Sequence, residues 1–303
     1  QMAGKYFQKA MEDNFNDSEN YFYAAVCLLE GKKAFSDLLL YLIVPAMVIN
    51  SYMMEFNIDI LHNLLKAFEL SILLLLIGLF ITLALTAKHK SPDLPIMRFA
   101  CIFSNAAYMG FPLIQALFGS EGLLYASAFV TVYNILLWTA GYGIVSKKVR
   151  AKEVLRTIFT NPVLISVVAG LLIYLCQIPV PDIIKQPVSL VGNMNTPLSM
   201  FITGMIIAGS DVKGLVYNKN IWYIILVRQL VIPAVCFGVF SLFHVTGMAA
   251  QVVLLLEACP SAAITSVFAV QFGYDENLAA GAVVITTFFS ILTLPVCAML
   301  LTA

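Results

Sequence analysis

The sequence predicts an all-α polytopic membrane protein in which two broken helices cross, and three observations lead to this fold class. Hydrophobic residues make up 61% of the 303 residues and charged residues only 11%. The mean hydropathy of +0.91 lies far above that of soluble globular domains. Apolar stretches of about 20 residues, the length that crosses a hydrocarbon core, recur along the chain. Two of them carry helix-breaking residues near their centres.

Residues 1–34 form an atypical N-terminal segment, which the sequence predicts to be polar and helical. The part from Lys5 to Asn20 is polar, and the apolar run from Tyr21 to Leu29 has only nine residues. Nine residues at about 1.5 Å each cannot cross a core about 30 Å thick. The segment resembles a helical pair of the tetratricopeptide type. One such copy cannot bury its own apolar face, so it would need a neighbour.

Nine apolar spans follow this segment, separated by short joints that leave no room for a second domain. They cover roughly residues 35–54, 65–87, 96–118, 121–145, 155–177, 186–209, 219–243, 248–271 and 277–302. We divide them into a first repeat, residues 35–146, and a second repeat, residues 155–303.

Basic residues set the predicted orientation, because cytoplasmic joints of membrane proteins are rich in Lys and Arg. If residues 30–36 are cytoplasmic, twelve basic residues fall in inner joints and two, Lys66 and Lys185, in outer ones. The twelve are Lys32, Lys33, Lys88, Lys90, Arg98, Lys147, Lys148, Arg150, Lys152, Arg156, Lys213 and Lys219. The C-terminus is therefore predicted to lie outside.

An internal repeat relates the two halves. Leu42 to Ser51 resembles Met194 to Thr203, each with a proline inside a span, and Phe118 to Thr131 resembles Phe272 to Thr286. The copies keep their order at offsets of 152 to 155 residues. Five crossings separate each pair, so the second copy is predicted to be inverted. Inverted repeats of this kind place a transporter's binding site at the bilayer midplane between them.

The two interrupted spans are the second pointer to a site. Pro112 follows Asn105 and Gly110 in the first, and Pro260 stands in the second. Proline removes a backbone donor and clashes with the preceding turn. Inside a bilayer, the freed backbone groups must be buried in protein or line a wet cavity. We therefore predict breaks at 110–112 and 259–261 that face one shared cavity.

The residues Asn105 to Pro112, the Cys259-Pro260 break and the joint from Phe272 to Asn277 resemble the auxin efflux carrier family in its bacterial form. The resemblance covers about residues 35–303. It implies ten helices in two inverted groups of five, with broken helices four and nine crossing, as in the related sodium/proton antiporter and bile-acid symporter folds. Residues 1–34 depart from the family, since relatives have a first membrane helix there.

Each break starts a new half-helix, whose N-terminus carries roughly +0.5 of an elementary charge. Two such ends at one depth favour an anion, so we predict a small-organic-anion site. The residues proposed to bind the anion are Asn105, Tyr108, Gly110, Pro112, Pro260, Ser261, Thr265 and Asn50. The alternative is that the prolines only kink packed helices. Asn50 and Gln115, like Asn193 and Thr196, could equally hydrogen-bond neighbouring helices.

Glu257 and Arg228 are the ionisable residues deepest in apolar surroundings. Charges at such depth are costly and mark either function or a pair. One hypothesis is that Glu257 takes up a proton coupled to transport, which requires it to face the cavity. The other is a structural pair with Arg228, which requires charged atoms within about 4 Å.

The remaining motifs argue against enzymes. The chain has no nucleophile and base arrangement, phosphate loop or dinucleotide glycine pattern, and its three histidines lack metal-ligand spacing. We expect no metal, cofactor or nucleic-acid partner. The prediction is a secondary transporter of small organic anions in the lipid bilayer of the cell (inner) membrane. The alternative is a membrane sensor or scaffold that uses residues 1–34 to bind a soluble partner. Substrate, proton or sodium coupling, and a homodimer are left open.

Overall fold

The structure is a computed structural model that describes residues 31, 34–146, 151–208 and 218–302. The predictions for residues 1–30 and 32–33 lie outside this part of the chain. The first helices are α1 (Ala34–Tyr52), α2 (Ile58–Leu85), α3 (Leu94–Ile102), α4 (residues 106–118), α5 (residues 120–146), α6 (Ala151–Thr160) and α7 (Pro162–Cys176). The later ones are α8 (Asp182–Asn193), α9 (Asn195–Ala208), α10 (Lys219–Leu242), α11 (Met248–Glu257), α12 (Ile264–Phe272) and α13 (Glu276–Thr302).

The all-α polytopic class is confirmed. Within the described ranges, six continuous helical segments are long and apolar enough to cross a membrane. They are α1, α2, the α4 and α5 segment, the α8 and α9 segment, α10 and α13. Shorter apolar helices, α7 and α11, lie between them. The described helices make nine passages when α4 and α5 are counted separately at the kink at Gly119, and when α3 is joined to α4 and α11 to α12 across their breaks. This is the number of apolar spans in the sequence.

The ends of these passages gather into two groups. At one end, Lys66 Nζ donates to the Thr246 carbonyl at 2.9 Å, and Gln251 Nε2 donates to the Leu301 carbonyl at 2.8 Å. At the other, the Asp275 N–H donates to Asp93 Oδ1 at 3.0 Å. We call these the Lys66 end and the Asp93 end. The start of α1 and the end of α13 therefore lie at opposite ends, because nine passages are an odd number.

Three prolines inside long helices directly follow π turns. Pro45, Pro112 and Pro233 come after the π turns Leu39–Ile43, Ala106–Gly110 and Leu226–Val231. A proline in an α-helix clashes with the carbonyl four residues back. A π turn bonds each N–H five residues back and so relieves that clash. These helices consequently continue through their prolines.

The predicted position of the first break is wrong for this reason. The structure keeps residues 110–112 helical, since the Gly110 N–H reaches back to the Asn105 carbonyl at 3.2 Å and the Phe111 N–H to the Ala106 carbonyl. The break lies at residues 103–105, between α3 and α4. The second break spans residues 258–263, which includes the predicted position.

The predicted span 155–177 is divided in the structure. Asn161 ends the helical run of α6 and caps α7, because its Oδ1 accepts from the Val163 N–H at 2.9 Å. Its Nδ2 donates to Asn134 Oδ1 on α5 at 3.2 Å. The apolar crossing is therefore the shorter helix α7.

Glycines allow the closest helix approaches around α1. A Cβ at Gly192 of α8 would lie 2.9 Å from the Met47 Cα of α1, and one at Gly170 of α7 would lie 2.5 Å from the Tyr52 ring. Helices α7 and α8 thus pack directly onto α1. α11 packs against α2 and against the α4 and α5 segment.

Candidate functional site at the crossing of two broken helices

The two breaks meet and are joined through their backbones. The Asn105 N–H donates to the Pro260 carbonyl at 2.7 Å, and the Ala262 N–H donates to the Phe103 carbonyl at 2.9 Å. Ser104 and Ser261 form the antiparallel bridge between them. Each break therefore supplies the backbone partners that the other lacks, as buried irregular backbone requires.

Four helix ends come together at this crossing. α3 and α11 end there, and α4 and α12 begin there. Each C-terminus carries a partial negative charge and each N-terminus a partial positive charge, both about half an elementary charge. With nine residues at about 1.5 Å, α3 places the crossing roughly 13 Å from the Asp93 end.

Arg228 in the π turn of α10 binds both C-termini. Its Nη1 donates to the carbonyls of Cys101 and Ile102, at 3.2 and 3.1 Å, where α3 ends. Its Nε donates to the Cys259 carbonyl at 3.1 Å, and its Nη2 to the Glu257 carbonyl, where α11 ends. One fully buried guanidinium thus neutralises two helix C-termini.

Glu257 completes an ion pair with this guanidinium. Its Oε1 lies 3.0 Å from Arg228 Nη1, and both side chains have 0% exposure. Its Oε2 has no hydrogen-bond partner among the described residues. Gly78 of α2 closes the other side, since a Cβ there would lie 3.1 Å from Oε1. The carboxylate is therefore sealed in protein and paired, which is the geometry that the structural hypothesis requires.

The two helix N-termini at the crossing have no capping side chain. Their polar side chains include Thr265 of α12, which is fully buried, and Ser104, at 1% exposure. Neither hydroxyl has a hydrogen-bond partner within the described residues. Asn105 is 5% exposed, and its side chain makes no capping bond to α4. Buried polar groups normally find partners, so this side of the crossing has unused hydrogen-bonding capacity.

The structure brings Asn105, Pro260, Ser261 and Thr265 together at the crossing, with different tasks. The Pro260 carbonyl is taken by the backbone of Asn105. Ser261 is used structurally, because its Oγ donates to the Ala100 carbonyl at 2.9 Å and its N–H to Thr286 Oγ1 at 3.0 Å. Asn105 and Thr265 retain side-chain groups that a ligand could bind.

The other predicted site residues lie beside the crossing or away from it. Gly110 packs against the end of α11 and the second break, since a Cβ there would lie 2.5 Å from a Leu256 methyl carbon and 3.4 Å from Cys259 Sγ. Pro112 is buried in the next turn of α4. Tyr108 is half-buried and lies beside α1, near Ser36. Asn50 is separate from all of these, in a cavity at the Lys66 end.

This cavity has a volume of about 680 Å³, and we call it the outer cavity after the predicted orientation. It lies between the end of α1, the kink at Gly119 and the start of α8. Its lining is Asn50, Met53, Met54, Ser120, Asp182, Lys185, Gln186, Ser189 and Leu190. The cavity holds both charges and amides, so it can admit polar solutes.

Sequence reasoning missed some residues of the crossing. Ser104 stands in the first break itself, and Thr286 of α13 supports Ser261. Gln229, next to Arg228, was not missed, because its sequence position predicts hydrogen bonds to neighbouring helices. It donates to the Thr286 carbonyl at 3.1 Å and accepts from Thr293 Oγ1 at 3.0 Å. Small hydroxyl residues are common in membrane helices, so only their proximity to a break could have identified them. Across the part of the chain that the structure describes, no three His, Cys, Asp or Glu side chains gather as a metal ion would need.

Comparisons with known proteins agree with this architecture. A family model described as membrane transport protein matches residues 29–298. A protein of Methanocaldococcus jannaschii described as an uncharacterized transporter is 24% identical over 278 residues, covering 88% of each chain. A second uncharacterized transporter, from Methanothermobacter thermautotrophicus, is 22% identical over 204 residues, covering 67% of this chain and 66% of the relative.

Proposed function

Because this chain belongs to the membrane transport protein family, that of the auxin efflux carriers, it is a multi-pass membrane transporter, and we propose that its substrates are small organic anions such as carboxylates. The observation that carries this proposal is the arrangement of charge at the crossing. Arg228 neutralises both helix C-termini, whereas no side chain caps the start of α4 or α12. Two helix N-termini whose partial positive charge meets no capping side chain favour an anion.

Thr265 and Asn105 would bind the carboxylate. The Thr265 hydroxyl and the Asn105 amide can both donate hydrogen bonds. The first N–H groups of α4 add donors, whereas at the start of α12 the Thr265 and Ser266 N–H groups already donate to the carbonyls of Ala262 and Ala263. A carboxylate accepts up to about four hydrogen bonds, so this set of donors matches its capacity. Glu257 serves as the structural counter-charge of Arg228 and does not carry a proton in this proposal.

Transport would occur by alternating access around this crossing. The proposal includes the two inverted repeats, residues 35–146 and 155–303, because the copies keep their order and the breaks meet between them. It also includes an inner-membrane location, with the Asp93 end in the cytoplasm. Ten basic residues fall in joints after residue 34 that belong to this end, against Lys66 and Lys185 at the other.

The test has two parts, binding and flux. Purified protein is screened by thermal unfolding against small mono- and dicarboxylates, each paired with its neutral amide. A ligand at about 100 times its Kd stabilises by about 2.7 kcal/mol. A carboxylate that raises the melting temperature while its amide does not is then tested for uptake into proteoliposomes. Substrate-dependent flux also distinguishes a carrier from a sensor or scaffold.

Asn105→Ala is the informative variant, with exposed Asn277→Ala as its matched control. We expect Asn105→Ala to lower binding and uptake with little loss of stability, since its side chain makes no capping bond. Asn277→Ala should behave as the parent. Uptake unchanged in Asn105→Ala would remove this residue from the site, and stabilisation by the amides alone would contradict an anion substrate.

A further inference from the structure

We propose that Gln115 forms an outer gate with Asn193 and Thr196, closing the path from the outer cavity to the crossing. The inference rests on the proposed transport function, to which it adds the place where the path is closed. Gln115 lies on α4, ten residues beyond Asn105 and so about 15 Å nearer the Lys66 end.

Both ends of the Gln115 amide are used in contacts to another pair of helices. Nε2 donates to Asn193 Oδ1, the last residue of α8, at 3.1 Å. Oε1 accepts from Thr196 Oγ1, in the first turn of α9, at 3.5 Å. One side chain therefore ties α4 to the junction where α8 turns into α9.

The outer cavity lies directly outward of this gate. Ser189, which lines the cavity, is one turn before Asn193 on α8, and Ser120 is five residues after Gln115. The three gate residues are not part of the cavity lining, but Asn193 is exposed and lies one turn beyond Ser189. The gate is therefore next to the cavity, on the side toward the Asp93 end.

A fully buried amide lies next to the gate. Asn195, two residues after Asn193, has 0% exposure, and neither its amide nitrogen nor its amide oxygen has a partner among the described residues. Its helix α9 packs against the π turn that follows Asn105. An unpartnered buried amide indicates a missing polar partner. A solute passing between gate and crossing would supply one.

The gate also links a helix of the crossing to helices that pack on α1. α4 is connected to α12 through the backbone bonds of the crossing and touches α1 at Tyr108, whereas α8 packs on α1 through Gly192. Separation of α4 from the junction of α8 and α9 must break the Gln115 bonds. An incoming carboxylate can accept the Nε2 hydrogen bond in place of Asn193, and its charge makes that bond stronger than one to water.

Cysteine labelling from outside tests the gate without any substrate. In a background with Cys27 and Cys176 replaced by serine, Ser189→Cys reports on the outer cavity and Asn195→Cys on the space behind the gate. A membrane-impermeant maleimide is added to right-side-out vesicles. We expect Ser189→Cys to react at the same rate with or without Gln115→Ala. Asn195→Cys should react about tenfold faster with Gln115→Ala, equivalent to about 1.4 kcal/mol, the size of one or two net hydrogen bonds.

If Asn195→Cys reacts at the same rate with and without Gln115→Ala, whether slowly or fast, the gate is refuted. Failure of Ser189→Cys to react from outside overturns the placement of the cavity and the gate with it. If Gln115→Ala does not fold, Asn193→Ala removes the same bond from the opposite helix and should accelerate labelling equally. Labelling needs no ligand, so the two proposals can fail separately. Anion uptake without faster labelling in Gln115→Ala refutes the gate alone. Faster labelling in Gln115→Ala without any anion uptake refutes the substrate class alone.

Discussion

Removing Arg228 should destabilise the protein far more than removing its ion-pair partner Glu257. The guanidinium makes contacts to both broken helices, whereas the carboxylate contributes one oxygen to the pair. In Glu257→Gln, the guanidinium keeps its bonds to the backbone carbonyls. The free energy of unfolding should therefore fall by about 3 kcal/mol, the lower end for breaking a buried pair. In Arg228→Gln, a sealed carboxylate loses its counter-charge. Four backbone carbonyls, those of Cys101, Ile102, Glu257 and Cys259, also lose a donor.

Each of those four carbonyls adds about 1 kcal/mol to a charge cost of about 3 to 5 kcal/mol, so Arg228→Gln should cost about 7 to 9 kcal/mol. The double variant removes both charges and leaves only the carbonyls unbonded. It should therefore be more stable than Arg228→Gln by several kcal/mol. A protein of this size loses about 2 °C of melting temperature per kcal/mol, so the order of the three variants is measurable by thermal unfolding in detergent.

The exposed charges Arg156 and Glu276 provide matched controls. Their glutamine variants should stay within about 0.5 kcal/mol of the parent. If Arg228→Gln yields too little protein, Arg228→Lys keeps the charge but loses the planar set of donors and should fall between parent and Glu257→Gln. Equal losses in the two single variants, with no recovery in the double variant, would refute the reasoning.

Thr265→Val replaces a buried hydroxyl that has no partner among the described residues. It should leave the free energy of unfolding unchanged or raise it by up to about 1 kcal/mol, and it should lower anion affinity. A lower free energy of unfolding in this variant would show that the hydroxyl is bonded. Gly192→Ala should cost about 1 to 3 kcal/mol, because its Cβ would meet the Met47 backbone at 2.9 Å, whereas Gly204→Ala, with open space around it, should cost little; equal melting temperatures would contradict the packing of α8 on α1. A tag placed after Ala303 should be labelled only from outside the cell, and labelling from the cytoplasm alone would reverse the orientation.

The sequence was sufficient to predict the crossings, because hydrophobicity and length decide whether a helix spans a bilayer. It also predicted that two interrupted spans meet, since irregular backbone cannot face lipid. The position of the first break could not be read from its proline. Pro112 is accommodated by the π turn Ala106–Gly110, and the chain opens earlier, where the second break offers backbone partners. Those partners come from about 155 residues away and have no local signature.

The site was predictable in part. Asn105 and Thr265 were identified from their distance to a break, and they do lie at the crossing. Asn50 was associated with them through its proline-bearing span, yet it lines the outer cavity. The structure puts Glu257 and Arg228 within 3.0 Å because both side chains point into the same buried space. Depth along a span was readable, whereas the facing direction of a side chain depends on helix packing that no single span encodes.

The backbone bonds between the breaks also constrain how the protein is made. Asn105 is synthesised about 155 residues before Pro260, which at 5 to 20 residues per second means about 8 to 30 s. During that interval, α3 and α4 are in the membrane without the carbonyl and amide that complete them. The first half of the chain must therefore be sheltered by the insertion machinery, or by water at the break, until α11 and α12 arrive. Folding of the crossing is consequently completed late in synthesis, when α11 and α12 supply the backbone partners of α3 and α4.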